Sequence, residues 1–344
     1  MSRIFICGLG AVSPAGWDVA ALRAALAAGT PLPIQSLERP GWEEPLRARL
    51  VPTPSSRLGF LAHPRLRRSS PITHYAAAAA LQAVAGLREN NGEAARLGIL
   101  VCLQSGCVQY SYRFLKEAIE DPATASPLLF PETVFAAPAS HLAALLGTVP
   151  LVHTLIGDPA TFLQALALGA AWLVDKRVDA CLVVGAEEIN WLRADALWHL
   201  EHAAILSGGA GAICMCRDSS KSIGAELNAI TEAQSYSALG SRAQAAQTMR
   251  DHLQRQGASP EDLLYDGLGD SPRTDAPEAA AWKDWKGPRL SPKRVLGEGL
   301  MAAAAWQCVA ACDAVATGNT RAANVSLVGC NQQAVGARFA RGTG

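Results

Sequence analysis

Short apolar runs of strand length alternate along the first part of the chain with segments whose apolar positions recur every three or four residues. The runs are Ile4–Cys7, Gly98–Leu103, Leu151–Ile156, Ala180–Val184 and Ala212–Cys216, and the helical segments between them are Val19–Ala28, Ile72–Leu87, Ala139–Leu146 and Ala160–Val174. This order predicts an α/β fold in which a βα-type sheet is covered by helices. A looser series follows: strand Ala225–Gln234, helix Ser241–Gln256, strand Leu263–Tyr265, helices near Ala276–Trp285 and Leu300–Thr317, then strands Asn324–Val328 and Ala334–Phe339. Two similar halves fit the pattern, although no sequence repeat is visible. The segment 31–68 is rich in proline and arginine, poor in periodicity and longer than an ordinary compact loop, so it is expected to be a variable surface loop or a partner-contacting arm.

The most informative junction is Leu151–Glu188. An apolar strand runs into Gly157-Asp158-Pro159 and then into a long apolar helix, which is the framework of a nucleophile elbow. Such a turn presents one side chain at a helix N-terminus, where free N–H groups and the macrodipole lower a thiol pKa and stabilise an oxyanion. The presented residue is Pro159, which suits a first helical position but has no proton to lose and no lone pair to attack with. Asp158, just before the helix, reads as an N-terminal cap before it reads as a carboxylate nucleophile.

Composition narrows the function classes. Of 344 residues half are hydrophobic, only 17% are charged, and the formal net charge is zero, which gives little long-range attraction for nucleic acid. The apolar helices at Tyr75–Val84, Ala160–Val174 and Met301–Val315 suggest apolar surface covered by a second subunit. Nine cysteines, an odd number without extracellular spacing, read as reduced core residues, and neither Cys214/Cys216 nor Cys308/Cys312 has a histidine nearby to complete a metal site. No signal-peptide architecture and no transmembrane-length run is visible, so a cytoplasmic protein without membrane, metal or cofactor is expected.

Several segments in order resemble the β-ketoacyl-acyl-carrier-protein synthases. Ile4-Phe5-Ile6-Cys7-Gly8-Leu9-Gly10-Ala11-Val12-Ser13-Pro14 looks like their first strand and turn. Phe130-Pro131-Glu132-Thr133-Val134-Phe135-Ala136-Ala137-Pro138-Ala139-Ser140-His141 resembles the segment before the nucleophile strand, especially in ketosynthases of aryl polyene pathways. Val178–Glu188 resembles the strand after the nucleophile helix, and Leu206–Ala212 the glycine-rich turn into the last strand of the first half. The resemblance implies a thiolase-like fold, two pseudo-symmetric halves in a five-layer αβαβα arrangement, dimerised through the first half. The halves are expected at 1–220, with the variable arm 31–68, and 221–344. The chain is short for such a protein, because Glu188 and Gly208 are joined by a brief helical segment where the family often has a lid-like insertion.

A decarboxylating ketosynthase needs a thiolate to carry the acyl group and two imidazoles for decarboxylation and enolate stabilisation. Alignment to the family motifs puts Pro159 at the cysteine, Gly267 at the first histidine and Glu298 at the second, while the motif lysine remains as Lys293. The glutamate that usually precedes the glycine-rich turn is replaced by Gly208. A Lys293–Glu298 ion pair is expected, and a carboxylate there would repel a malonyl group and, while ionised, donate no hydrogen bond to an enolate. None of the seven histidines falls on either motif position. His141 reads as a structural histidine before a catalytic base, and Cys107 as a small buried cysteine before a displaced thiol; Phe135 and Phe162 are candidates for shaping a tunnel, with core packing an equal reading for Phe162.

The resemblance therefore implies a non-condensing homologue, acting like a chain-length-factor subunit in a heterodimer with an active ketosynthase and meeting acyl carrier protein. A homodimer is also compatible. The alternatives are a thiolase-fold acyltransferase that uses Asp158, His141 or Cys107 in new roles, and a stand-alone acyl-binding protein.

Overall fold

The computed structural model describes residues 3–54, 56–88, 96–147, 151–237, 239–269, 271–330 and 332–342. Five strands of the first half, β1 (Ile4–Val12), β2 (Leu97–Leu103), β3 (Leu151–Ile156), β4 (Ala180–Glu187) and β5 (Gly209–Cys216), lie in the order β3-β2-β4-β5-β1. Five of the second half, β6 (Ala225–Ile230), β7 (Leu263–Tyr265), β8 (Arg289–Leu290), β9 (Ala322–Val328) and β10 (Gln333–Arg341), lie in the order β8-β7-β9-β10-β6. The permutation is the same, and so are the directions: the first three strands of each order run parallel and the last two pair antiparallel. The halves join where β1 pairs antiparallel with β6, Phe5 opposite Glu226. Duplication that the sequence hides is therefore plain in the topology.

The helices used below are α1 (Val19–Ala28), α2 (Pro71–Ala83), α3 (Val108–Glu120), α4 (Ala137–Leu146), α5 (Thr161–Val174), α6 (Trp191–Leu200), α7 (Leu239–Arg255), α8 (Pro272–Ala281), α9 (Pro292–Leu296) and α10 (Met301–Ala316). Helices α2 and α4 cover the outer face of the first sheet, α5 and α10 lie between the sheets, and α7 and α8 cover the outer face of the second, with a separate apolar core at each level. Sheets covered on both faces need strands that are apolar throughout, and every residue of β4 and β5 is buried. The central layer must also be thin. Every residue from Met301 to Val315 is buried, most of them small, and a methyl placed on Gly211 would lie 2.7 Å from the Ala305 Cβ.

Three expectations change. The alanine-rich helices are covered by the chain's own sheets and so call for no second subunit; among the exposed apolar residues are Ile156 at the end of β3, Leu115 and Ile119 on α3, and Leu128, Phe130, Val134 and Phe135 in the segment before α4. The segment 31–68 contains Gln35–Leu37 paired antiparallel with Leu46–Arg49, which runs parallel to Leu206–Ser207 in a small three-stranded sheet. Its strands are too short and too polar to show periodicity. Helix α3 lies outside the sequence expectation, although Val108, Tyr112, Leu115 and Ile119 recur at helical spacing; none of its residues is buried, so it adds no apolar run to the pattern. Among the described residues no helix is long and apolar enough to cross a membrane.

Candidate functional site

The elbow forms as the strand-turn-helix pattern requires. After β3 the Gly157 N–H donates to Leu103 O (3.2 Å), the chain turns through Asp158–Ala160, and Thr161 N donates to Asp158 O (2.9 Å) as α5 begins. Pro159 lies in the turn just ahead of the first helical residue rather than at it. Asp158 is buried and its carboxylate is occupied: it accepts from Ala160 N (3.2 Å), Gln333 N (3.3 Å) and Gln333 Nε2 (3.3 Å). Burial raises its pKa, and the Gln333 and backbone donors work against that rise. A methyl on Gly329 would fall 1.9 Å from Asp158 Oδ2, so glycine there lets the segment after β9 close on the elbow. Asp158 closes this turn and ties it to that segment; the helix cap is Ala160, without a side-chain cap bond, so Asp158 is not the N-cap the sequence suggests.

Pro159, Gly267, Lys293 and Glu298 all line one cavity of about 80 Å³. Four residues spread over the sequence from the elbow to the start of α10 thus line the same cavity. Lys293 Nζ lies 2.8 Å from Glu298 Oε2, and Glu298 Oε1 accepts from Leu300 N (2.7 Å) at the start of α10. Burial works against the Lys293 ammonium, but the charge and hydrogen bond of Glu298, with Glu278 behind, hold its pKa above the ordinary value. Leu300 takes φ 48°, ψ −112°, a strained conformation for a residue with a side chain, at the pocket wall. Gly267 N donates to Glu278 Oε1 (2.9 Å), which also accepts from Ser326 Oγ (2.5 Å). Burial first, and then the nearby Asp266, push Glu278 up to about 7. Asp275 accepts from Gly269 N (3.0 Å) and is likewise raised by burial; Asp270 of the same segment lies outside the described residues. No lining residue of this pocket is a histidine.

The other residues singled out lie elsewhere. His141 is buried on α4, with Nε2 2.9 Å from Glu132 Oε1, and faces a separate cavity of about 610 Å³. Cys107 is buried in the outer core, not along the elbow pocket; it accepts from Ser70 Oγ (3.3 Å), and burial pushes its thiol up to about 12. Phe162 is wholly buried between the sheets in the central core and is not a lining residue. Phe135 is partly exposed and packs over Gly106. Glu187 and Glu188, at the end of β4, hold the neighbouring loop: Glu187 accepts from Gln104 N (2.6 Å), and Glu188 from Gln109 N (2.7 Å) at the start of α3 and from Ile72 N (3.3 Å) at the start of α2.

Cys330 is a chemically active lining residue that the sequence pattern does not single out. It was grouped with the core cysteines, but the other eight are buried and it is exposed at the pocket beside Pro159 and Lys293. Desolvation raises its pKa, opposed by the Gln104 Nε2 donor (3.4 Å) and by Lys293. Its place after the end of β9, following Gly329, is the signal that sets it apart from cysteines inside strands. Arg242 also lines the pocket, buried, and donates to the carbonyls of Val328 and Cys330. Among the described residues no cluster of three or more His, Cys, Asp or Glu is placed to hold a metal.

Strand order, layers and elbow together define a thiolase-like α/β fold of the kind found in ketosynthases. No protein-family model and no curated protein matches the sequence. Among solved structures, the chain is similar to a β-ketoacyl synthase from Burkholderia phymatum STM815, with TM-score 0.82, 16% identity and all of both chains covered. It is similar to the ishigamide ketosynthase/chain length factor, with TM-score 0.79, 18% identity, and 98% of this chain and 99% of that one covered. It is also similar to the ketosynthase ApeO in complex with its chain length factor ApeC from Xenorhabdus doucetiae, with TM-score 0.78, 15% identity, and 99% and 98% covered. At these identities the likeness establishes the fold.

Proposed function

We propose that this protein is a non-condensing ketosynthase homologue, a chain-length-factor-like cytoplasmic subunit that pairs with an active ketosynthase in polyketide, aryl polyene or fatty-acid-type biosynthesis and works with acyl carrier protein. The observation that carries the reading is the elbow pocket. Pro159, Gly267 and Glu298, which the motif alignment sets at the thiolate and the two imidazoles, line one cavity, and Lys293 pairs with the Glu298 carboxylate there. Such a site neither carries an acyl group at the elbow nor hydrogen-bonds an enolate. The open edge supports a partner. Strand β3 ends the sheet with exposed Ile156, and exposed apolar side chains at Phe130, Val134 and Phe135 lie in the preceding segment.

One observation favours a second reading, an acyltransferase with relocated residues: the exposed Cys330 thiol in the same pocket. A single experiment addresses both. The chain is co-expressed with a Cys-His-His ketosynthase from the same genome, any complex is isolated, and it is incubated with acyl carrier protein thioesters before intact-mass analysis. The expected result is a stable heterodimer acylated on the ketosynthase alone. A chain that purifies as a stable monomer and forms no complex overturns the subunit role, and an acyl adduct on this chain that is lost in Cys330→Ser establishes the second reading instead.

A further inference from the structure

The cavity of about 610 Å³ at His141 is lined, among the described residues, by two segments: 64–68 at the end of the former arm, and 128–141 leading into α4. Its volume falls within the roughly 300–1,000 Å³ of small-molecule sites. The two walls differ in chemistry. The first carries Arg65, Arg67 and Arg68, all exposed and all lining the cavity. Leu66 between them is 1% exposed in the outer core, and its carbonyl accepts from Ser69 Oγ (3.1 Å), so the stretch is anchored while its arginines stay outside. The second wall carries Leu128 at 62% exposure and Val134 at 44%, aliphatic side chains open to the same space.

None of the three guanidiniums has an ion pair or hydrogen-bond partner among the described residues. The one carboxylate of the lining, Glu132, is already engaged: its two oxygens lie 2.9 and 3.0 Å from His141 Nε2. Counting the histidine neutral, three guanidiniums face one carboxylate, an excess of two positive charges in a chain whose net charge is zero. Like charges crowded on one short stretch repel, and an anion relieves that repulsion. The guanidinium fork also matches the geometry of phosphate oxygens. No aromatic ring other than the His141 imidazole lines the cavity, so little stacking surface is offered to a base or an arene.

We propose that this cavity binds an aliphatic phosphate monoester as a free molecule, its head among Arg65, Arg67 and Arg68 and its alkyl chain along Leu128 and Val134. An excess of two positive charges matches a phosphate monoester, which carries about −1.5 to −2 at neutral pH, better than it matches a carboxylate. The open aliphatic wall gives the chain a surface on which to leave water. The site uses none of the elbow residues. Val134 also belongs to the apolar patch at the partner edge, so the assignment is tested on the isolated full chain, where its failure is separate from that of the subunit role.

The test is calorimetric titration of the full chain with n-octyl phosphate below its micelle concentration. Inorganic phosphate supplies the head alone, octanoate the single charge, and octyl glucoside the chain without charge. Saturable binding of octyl phosphate is expected, weakening as salt is raised, with each comparator weaker by about ten-fold or more. Replacing the arginines together, Arg65→Gln with Arg67→Gln and Arg68→Gln, should weaken it by at least about ten-fold. Leu128→Ser should weaken octyl phosphate by about five-fold and leave inorganic phosphate unchanged. All four side chains are exposed, so their replacement leaves the fold intact, and matching thermal midpoints verify this. The proposal is overturned by no saturable binding of octyl phosphate, by unchanged affinity in the triple arginine variant, or by octyl glucoside binding as tightly. Binding to vesicles of phosphatidylglycerol and phosphatidylcholine with none of the monomer overturns it too, since the partner would then be a membrane surface.

Discussion

At the scale of single residues, the Glu278 carboxyl shows how burial dictates a measurable property. It is the acceptor for Gly267 N and Ser326 Oγ, yet burial and the neighbouring Asp266 raise it to about 7. A carboxyl whose folded-state pKa lies above the unfolded value binds its proton more tightly when folded, so its contribution to stability is full below about pH 4.5 and is lost as pH rises through 7. Replacing it with glutamine keeps an acceptor and removes the titration. Urea unfolding of wild type and Glu278→Gln between pH 5 and 8 should show the stability difference shifting in favour of the variant by up to about 3 kcal/mol as pH rises. A difference that stays flat across that range would mean the carboxyl is not governed by its burial. Among residues, legibility in the sequence was uneven. Lys293 and Glu298 were paired from motif spacing and are paired in the structure. Cys330 was grouped with the core cysteines although the expected strand already ends at Val328; that it opens on the pocket rests on contacts from distant segments, Pro159 and Lys293, which hydropathy does not carry.

At the scale of elements, the contact between α10 and strands β4 and β5 sets the spacing of the central layer. Gly211 faces Ala305, and an added methyl would meet the Ala305 Cβ at 2.7 Å and its backbone carbon at 2.9 Å. Gly211→Ala should therefore destabilise the protein by about 1–3 kcal/mol through overpacking. Adding Ala305→Gly should recover only part of the loss, since the backbone contact persists and glycine costs about 1 kcal/mol in a helix. Gly59→Ala, where the added methyl meets nothing within 4 Å, serves as the near-neutral comparison in the same chemical-denaturation series. Elements of long, uniformly apolar character were legible from pattern, as α5, α10, β4 and β5 show. Those whose formation rests on distant partners were not: Leu46–Arg49 forms a strand because Leu206–Ser207 lies beside it, and local sequence carries no trace of that neighbour.

At the scale of the whole molecule, the two halves share a core rather than an interface. Phe162 and Leu166 of the first half and Val325 and Phe339 of the second belong to one buried cluster, packed around α10. Residues that bury the same helix cannot unfold independently, so calorimetry should give a single transition with matching calorimetric and van't Hoff enthalpies. Two resolved transitions would show that the halves behave as separate domains. The repeated strand order was only faintly legible, because parallel and antiparallel pairing depend on which strands meet, and the halves have diverged too far for their sequences to show it. The Lys293–Glu298 pair, in turn, ties the pocket to the start of the central helix α10. A histidine at position 298 alone would strip Lys293 of its one contacting carboxylate among the described residues, in a pocket where its side chain is only 11% exposed. Removing one partner of a buried ion pair costs about 3–5 kcal/mol. Glu298→His should therefore lower the thermal midpoint of the protein, whereas Glu298→Gln, which keeps an acceptor for Lys293 and Leu300 N, should lower it less.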